Sequence, residues 1–247
     1  MNFINPYTSI YFCQEELRTA YNIPFYKEVI WVFLKCLDNR LKLFKHRVNI
    51  HISDREELLK TRRFGSIYEY FVRIDQNTFT QLDEPTKRSV LLDVVHRAFL
   101  ELADCHGWDK EAINSAYEHA KREGLYFYSQ TKSKTNRSKS LTASLHFELT
   151  GNTLTFSSHI TDLRNGSVQK VFLLKTDEDH FSWWRRIKDF GWYDNQRFGL
   201  KLLNGELWIV NNTASGEIEE IINQNKKEIK EINQMLFFLK EPPFIPR

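Results

Sequence analysis

The sequence is poor in the residues that mark disulfide-bonded, collagen-like and low-complexity proteins. Its 247 residues include nine glycines, six prolines and three cysteines. Cys13, Cys36 and Cys105 are widely spaced and form no CxxC pair, so the cysteines indicate neither a disulfide framework nor a zinc knuckle. We therefore expect a protein of a reducing compartment.

Long apolar segments are absent as well. The longest uninterrupted apolar run, Val29 to Leu34, has six residues, whereas a membrane-spanning helix needs about 20. The first residues, MNFINPYTSIYF, show neither the basic start nor the continuous apolar stretch of a signal peptide. These features predict a cytoplasmic protein that does not span a membrane.

What the chain does contain is the ordinary balance of a globular protein. Hydrophobic residues make up 41% of the chain and charged residues 27%. Such a composition can bury a core. The 35 basic side chains exceed the 32 acidic ones by only three, which weighs against a chain devoted to nucleic acid.

Helix signals dominate the first half of the chain. A helix is expected to start near Pro24, and strand-like stretches follow at 47–52 and 66–74. Capping residues mark the ends of two further helices. Asp83 is expected to begin a helix that ends at Gly107, and Asp109 a helix that ends at Gly124. They predict a helical hairpin, with Trp108 at its corner.

The apolar period changes from helical to alternating after residue 140. Alternation over 141–149 and 154–160, separated by the turn residues Gly151 and Asn152, predicts two paired strands. A third strand, VQKVFLLK, follows the turn at Asn165 and Gly166. We expect an α+β fold in which the helical hairpin packs on this antiparallel β-meander, forming a domain over 1–176.

The remaining segment, 177–247, predicts a smaller helix-hairpin-helix unit. A helix is expected from Asp179 to Gly191, a hairpin turns at Asn204 and Gly205, and a heptad-like helix spans about 216–240. This unit is either separate or packed as one domain with the first. The heptad seam is short, so we expect it to pack within the chain and the free protein to be a monomer.

No local motif for catalysis, cofactor or metal is present. HExxH, GxSxG, the P-loop and GxGxxG are all missing, so we expect no enzyme activity, no cofactor and no metal. One histidine pair can still be placed by counting from the turn at 151–152. This turn pairs 146 with 157, which makes His159 a diagonal neighbour of His146 on the polar face, beside Glu148. A solvent-facing strand surface is the simpler interpretation, and an enzyme centred on this face is the third hypothesis.

A basic segment covers residues 121–140. Its six basic side chains, with Glu123 as the single acid, adjoin the aromatic run at 126–128. Aromatics beside cations can stack on and neutralise a nucleic acid strand. Lys132, Lys134 and Arg137 are therefore candidate binding residues, although the stretch 129–140 is also expected to be a solvated loop or a contact for an acidic protein surface.

An aromatic cluster near the C-terminus offers a different kind of site. Trp, Tyr and Arg are enriched among the residues that contribute most to protein interfaces. Adjacent tryptophans on a helix point about 100° apart, so one of this pair is expected to face solvent or a partner. The candidate partner-binding residues are Trp183, Trp184, Arg185, Arg186 and Trp192.

The stretch LLDVVHRAFLELADCHGWDKEAINSAYEHAKREG, residues 91–124, carries a resemblance. Together with the basic loop and Thr-rich meander, up to about residue 170, it resembles the immunity proteins encoded beside secreted bacterial toxins. The resemblance implies a cytoplasmic, non-enzymatic protein that neutralises a toxin by stoichiometric binding, and it transfers no functional residue. The alternative is a nucleic-acid-binding module that uses residues 121–140.

Overall fold

The computed structural model describes residues 8–12, 21–22, 25–37, 47–53, 62–64, 67–151, 153–177, 187–202 and 207–222. The chain divides into two compact units, Asn2–Phe127 and Tyr128–Arg247, called the first and second unit below. The division falls after Phe127, whereas the sequence analysis placed a boundary after residue 176. No helix among the described residues is long and apolar enough to cross a membrane.

The described residues of the first unit form four helices, and the structure confirms the predicted helical hairpin. They are α1 (Tyr26–Leu37), α2 (Gln76–Gln81), α3 (Glu84–His106) and α4 (Lys110–Glu123). The Asp83 carboxylate accepts a hydrogen bond from the Thr86 backbone at 2.8 Å, which caps α3. Gly107 and Gly124 end α3 and α4 in the left-handed conformation. Helix α1 packs against both α3 and α4.

The same unit holds a mixed five-stranded sheet. Its strands are β1 (Thr8–Phe12), β2 (Tyr21–Asn22), β3 (Arg47–Ser53), β4 (Arg62–Phe64) and β5 (Ile67–Arg73), in the order β2-β1-β3-β5-β4. β3 pairs in parallel with both β1 and β5. The sequence correctly predicted β3 and β5, but their pairing is set by long-range contacts. The helical hairpin therefore shares its unit with α1 and this sheet, and the meander belongs to the other unit.

The predicted meander forms the first sheet of the second unit. Its strands are β6 (Phe127–Gln130), β7 (Lys134–Thr135), β8 (Leu141–Thr150), β9 (Thr153–Asp162) and β10 (Val168–Asp177). They are arranged β10-β9-β8-β6, with β7 also paired to β8. We call this the meander sheet. Alternate residues such as Ala143, Leu145 and Phe156 are buried, as the period of two predicted. The segment 129–140, predicted to be a loop, instead contributes β7 and the end of β6.

The second sheet of this unit corrects the predicted helix-hairpin-helix. It consists of β11 (Ile187–Trp192), β12 (Arg197–Leu202), β13 (Leu207–Asn212) and β14 (Ile218–Ile222), in that order and antiparallel throughout. β12 and β13 pair antiparallel, and the turn predicted at Asn204 and Gly205 lies outside the described residues. Where helices were predicted, the described residues form β11 and β14. Positions i and i+4, such as Ile218 and Ile222, share a face in a strand as well as in a helix, so this spacing did not distinguish the two. Residues 178–186 and 223–247 lie outside the described residues.

The two sheets of the second unit use the same turn chemistry. The Gly166 N–H donates to the Asp162 carbonyl at 2.8 Å, and the Gly216 N–H donates to the Asn212 carbonyl at 2.7 Å. Both glycines are in the left-handed region, with φ values of +71° and +76°. The side chains of Asp162 and Asn212 each also accept a backbone N–H two residues further on. The turns β9–β10 and β13–β14 are therefore equivalent.

Candidate functional site

One face of the meander sheet carries the two histidines that the sequence placed together, with polar and exposed aromatic side chains around them. The ladder registers place the following residues on it: Thr142, Ser144, His146 and Glu148 on β8; Thr155, Ser157, His159 and Thr161 on β9; and Val168, Lys170, Phe172 and Lys175 on β10. Tyr128 of β6 joins them through its contact with His146. We call this set the polar face. The opposite face supplies the buried core residues of the sheet.

The two histidines on this face lie where counting from the turn placed them. His146 pairs with Ser157, and His159 pairs with Ser144, so the histidines are diagonal neighbours. Their rings stack in parallel, with centroids 3.4 Å apart and an interplanar angle of 15°. The prediction of their proximity is therefore confirmed.

Both ring nitrogens of His146 already have partners within the face. The Tyr128 hydroxyl contacts Nδ1, and the Ser144 hydroxyl lies 2.8 Å from Nε2. His146 is only 6% exposed. Binding a metal through either nitrogen would break one of these contacts, so the geometry favours a fixed, neutral imidazole over a metal ligand.

The electrostatics of the face keep both histidines neutral. Burial, followed by the neighbouring His159 and Lys170, lowers the pKa of His146 to about 4. Burial also lowers the pKa of His159, and Lys170 adds to this effect, while Glu148 opposes it. A base with such a low pKa is inefficient at neutral pH, because general bases work best near the operating pH. The Ser144–His146–Tyr128 chain is therefore better suited to orienting Tyr128 than to activating Ser144.

Large side chains project from the polar face into solvent. Phe172 is 53% exposed and Val168 is 55% exposed, both on β10. Tyr128 is 40% exposed although His146 holds its hydroxyl. Because His146 is opposite Ser157, and Ser157 is opposite Phe172, His146 and Phe172 belong to one row across the sheet. Tyr128 of β6 contacts the His146 end of this row. These exposed apolar side chains make the polar face a candidate contact surface.

Charge on the polar face is nearly balanced. Among the side chains that the structure describes there, Lys170 and Lys175 oppose Glu148. The neutral histidines add no positive charge at neutral pH. A surface that binds nucleic acid usually carries a clear excess of cations, which the described side chains of this face do not show.

The candidate cations of the basic segment separate in the structure. Lys132 and Arg137 are exposed. Lys134 instead has its ammonium 3.1 Å from the Asp189 carboxylate and 4.0 Å from the centre of the Phe190 ring. Nearby, the buried Asn136 organises the turn by accepting the backbone N–H groups of residues 140 and 141. The segment is thus an ordered part of the second unit.

The aromatic candidates also divide. The indole N–H of Trp192 donates to the Lys134 carbonyl at 2.7 Å, and its ring contacts Phe198 edge-on at 5.2 Å. Trp192 therefore joins strands within the second unit. Trp183, Trp184, Arg185 and Arg186 lie outside the described residues.

Sequence reasoning missed the exposed aromatic positions of the polar face. Phe172 belonged to a correctly predicted strand, and continuing the alternation from β9 would have placed it beside the histidines. Tyr128 was considered only as part of the basic segment. The signal for Phe172 was present, whereas the contact of Tyr128 with His146 depends on the pairing of β6, which no local pattern shows.

Comparison of the chain with protein-family models, with curated proteins and with solved structures found no match.

Proposed function

We propose that the protein binds another protein through the polar face of the meander sheet and acts by stoichiometric binding, without turnover. The proposal is based on the presence, on one face, of exposed apolar side chains and of a tyrosine whose hydroxyl is held by a histidine. Phe172 and Val168 are more than half exposed, and Tyr128 presents its ring while His146 holds its hydroxyl.

This arrangement has the anatomy of a protein interface. Such interfaces combine aromatic anchors with a polar surround. Phe172 and Tyr128 provide the anchors, and the Ser and Thr hydroxyls of β8 and β9 provide the surround. Because Tyr128 is already hydrogen-bonded, little rotamer entropy is lost when a partner covers it.

The resemblance to immunity proteins supplies the class of partner that we propose, a toxin domain neutralised in the cytoplasm. Single-stranded nucleic acid is the alternative partner. Aromatic side chains on an open sheet can stack on bases, and Lys132 and Arg137 are exposed. The balanced charge of the polar face favours the protein.

Photo-crosslinking tests the proposal, because it captures whichever molecule covers a chosen position. Benzoylphenylalanine is introduced at Phe172 and, as a control, at the exposed Glu118 of α4. After irradiation in cells of the native host, we expect one protein to be joined through position 172 and not through position 118. The captured protein is then purified and its binding is measured at increasing salt concentrations.

The salt titration separates the two partners. Protein binding through this face should depend weakly on salt, whereas each phosphate contact steepens the dependence. Crosslinks to nucleic acid, a steep salt dependence, or turnover of a small molecule by the purified protein would contradict the proposal. Crosslinking that is equal at both positions would contradict it as well.

A further inference from the structure

Among the residues that the structure describes, Cys36, His119 and Glu123 of the first unit bring one sulfur, one imidazole and one carboxylate together. Their ligand atoms all lie within 4.8 Å of one another. His119 and Glu123 are four residues apart on α4, so their side chains share a face. Cys36 comes from the last turn of α1, which packs against α4.

We propose that these three side chains bind a zinc ion that links α1 to α4. Thiolate, imidazole and carboxylate are the three ligand types that zinc takes in proteins. A thiolate and a carboxylate together also match the double positive charge of the ion. Three protein ligands leave a fourth tetrahedral position for water or another ligand.

The distances need little adjustment. Zinc bonds of about 2.0 to 2.3 Å place neighbouring tetrahedral ligands about 3.3 to 3.6 Å apart. His119 Nε2 is 3.4 Å from Glu123 Oε1, which already matches such an edge. The Cys36 sulfur lies within 4.8 Å of the other two ligand atoms, so a shift of about 1 Å brings it to the spacing that zinc needs.

Lys35 holds the carboxylate in a suitable orientation. Its ammonium donates to Glu123 Oε2 at 2.7 Å, while Glu123 Oε1 faces His119. One carboxylate oxygen is thus held by Lys35, and the other faces the candidate site. Carboxylates that bind metals typically have such a supporting hydrogen bond. The ion can enter from solvent, because the His119 side chain is 52% exposed.

The sequence predicts no metal, because it contains no local metal-binding motif such as HExxH. The two ligands on α4 form an HxxxE pair, and the third comes from a distant helix. Packing of α1 on α4 is what creates the group.

Cobalt substitution in the reduced, full-length protein tests the site. After treatment with a chelator, wild-type protein is titrated with Co²⁺ and then with Zn²⁺. We expect one equivalent of Co²⁺ to give the visible bands of tetrahedral cobalt and a thiolate-to-cobalt charge-transfer band, and zinc to displace both.

Matched variants locate the ligands. Cys36→Ser should remove the charge-transfer band and weaken zinc binding at least about 100-fold. Replacing a residue that only supports a metal ligand costs up to about 100-fold, and loss of a ligand should cost at least as much. Cys105→Ser, which changes an exposed cysteine, should leave both unchanged. Glu123→Gln should weaken binding, while Glu118→Gln on the same helix should not.

If Cys36→Ser does not fold, His119→Ala at the exposed ligand replaces it. The proposal is overturned if the wild-type protein binds no stoichiometric metal, or if the folded Cys36→Ser or His119→Ala variant binds zinc as tightly as wild type.

Discussion

In the first unit, the guanidinium of Arg88 lies 2.8 Å from the carboxylate of Glu28, and both residues are almost completely buried. In the second unit, His146 is one of several buried polar residues, and it is kept neutral and contacts the partly exposed Tyr128. The ion pair joins α1 to α3 and is shielded from solvent. The histidine instead supports a surface. The Arg88–Glu28 pair thus stabilises packing in the first unit, whereas His146 positions an exposed side chain in the second.

The largest expected difference in stability is between the alanine variants of two phenylalanines. Phe99 of α3 is fully buried and its ring lies 5.1 Å from that of Phe33, whereas Phe172 is 53% exposed. Phe99→Ala should lower the free energy of unfolding by about 3 to 5 kcal/mol, and Phe172→Ala by less than about 0.5 kcal/mol. Denaturant melts measure both. Equal losses would show that Phe172 is a core residue.

Removing the buried cation should also be costly. In Arg88→Met the carboxylate of Glu28 stays buried without this guanidinium, so we expect a loss of about 3 to 5 kcal/mol in the free energy of unfolding. Arg97→Met, at an exposed position on the same helix, should change it by less than about 0.5 kcal/mol. Similar stability of the two variants would contradict the structural role of the ion pair.

A backbone contact in the second unit gives an intermediate effect. A Cβ atom added at Gly199 would lie 2.0 Å from the carbonyl oxygen of Ile209. Gly191 is paired with Gly199 in the sheet, and a Cβ atom added there would lie 3.7 Å from its nearest neighbour, the side chain of Lys134. Gly199→Ala should therefore destabilise the protein by about 1 to 3 kcal/mol. Gly191→Ala is the control, and a larger loss there than at Gly199 would contradict the packing of β12 on β13.

The smallest effect concerns pH. The folded pKa of His146 is about 4, below the value of about 6.5 in an unfolded chain. Between these values the unfolded chain binds the proton and the folded chain does not. This contribution to stability is therefore complete above about pH 6.5 and is lost as the pH falls towards 4.

Histidine NMR signals measure this titration directly. The imidazole of His146 should titrate with a midpoint near 4, and a midpoint near 6.5 would contradict the account. His146→Gln should remove this part of the pH dependence of unfolding. His96→Gln, at a histidine of α3 in the first unit that is not a proposed zinc ligand, should retain it.

Local signals in the sequence predicted local structure well. Asp83 and Gly107 mark the ends of α3 because capping depends on nearby backbone groups. Counting from a two-residue turn placed His146 beside His159 because strand pairing there follows from the turn.

What failed depended on distant contacts. The parallel pairing of β3 with β1 and β5 has no local signature, and the strands β11 and β14 were predicted as helices. The group of Cys36, His119 and Glu123 exists only because two helices pack together. For the candidate site, the sequence placed the two histidines but not the tyrosine that His146 contacts.

The proposal that the polar face binds a protein is tested most directly by calorimetry. The partner identified by crosslinking is purified and titrated with the wild-type protein and with two matched variants. Phe172→Ala removes an exposed anchor of the polar face, and Ile218→Ala removes a side chain that is 40% exposed on β14 of the other sheet. Phe172→Ala should weaken binding by about 2 kcal/mol, or about thirtyfold, while Ile218→Ala should bind like wild type. Unchanged affinity of a folded Phe172→Ala variant would contradict the assignment of the polar face as the binding surface.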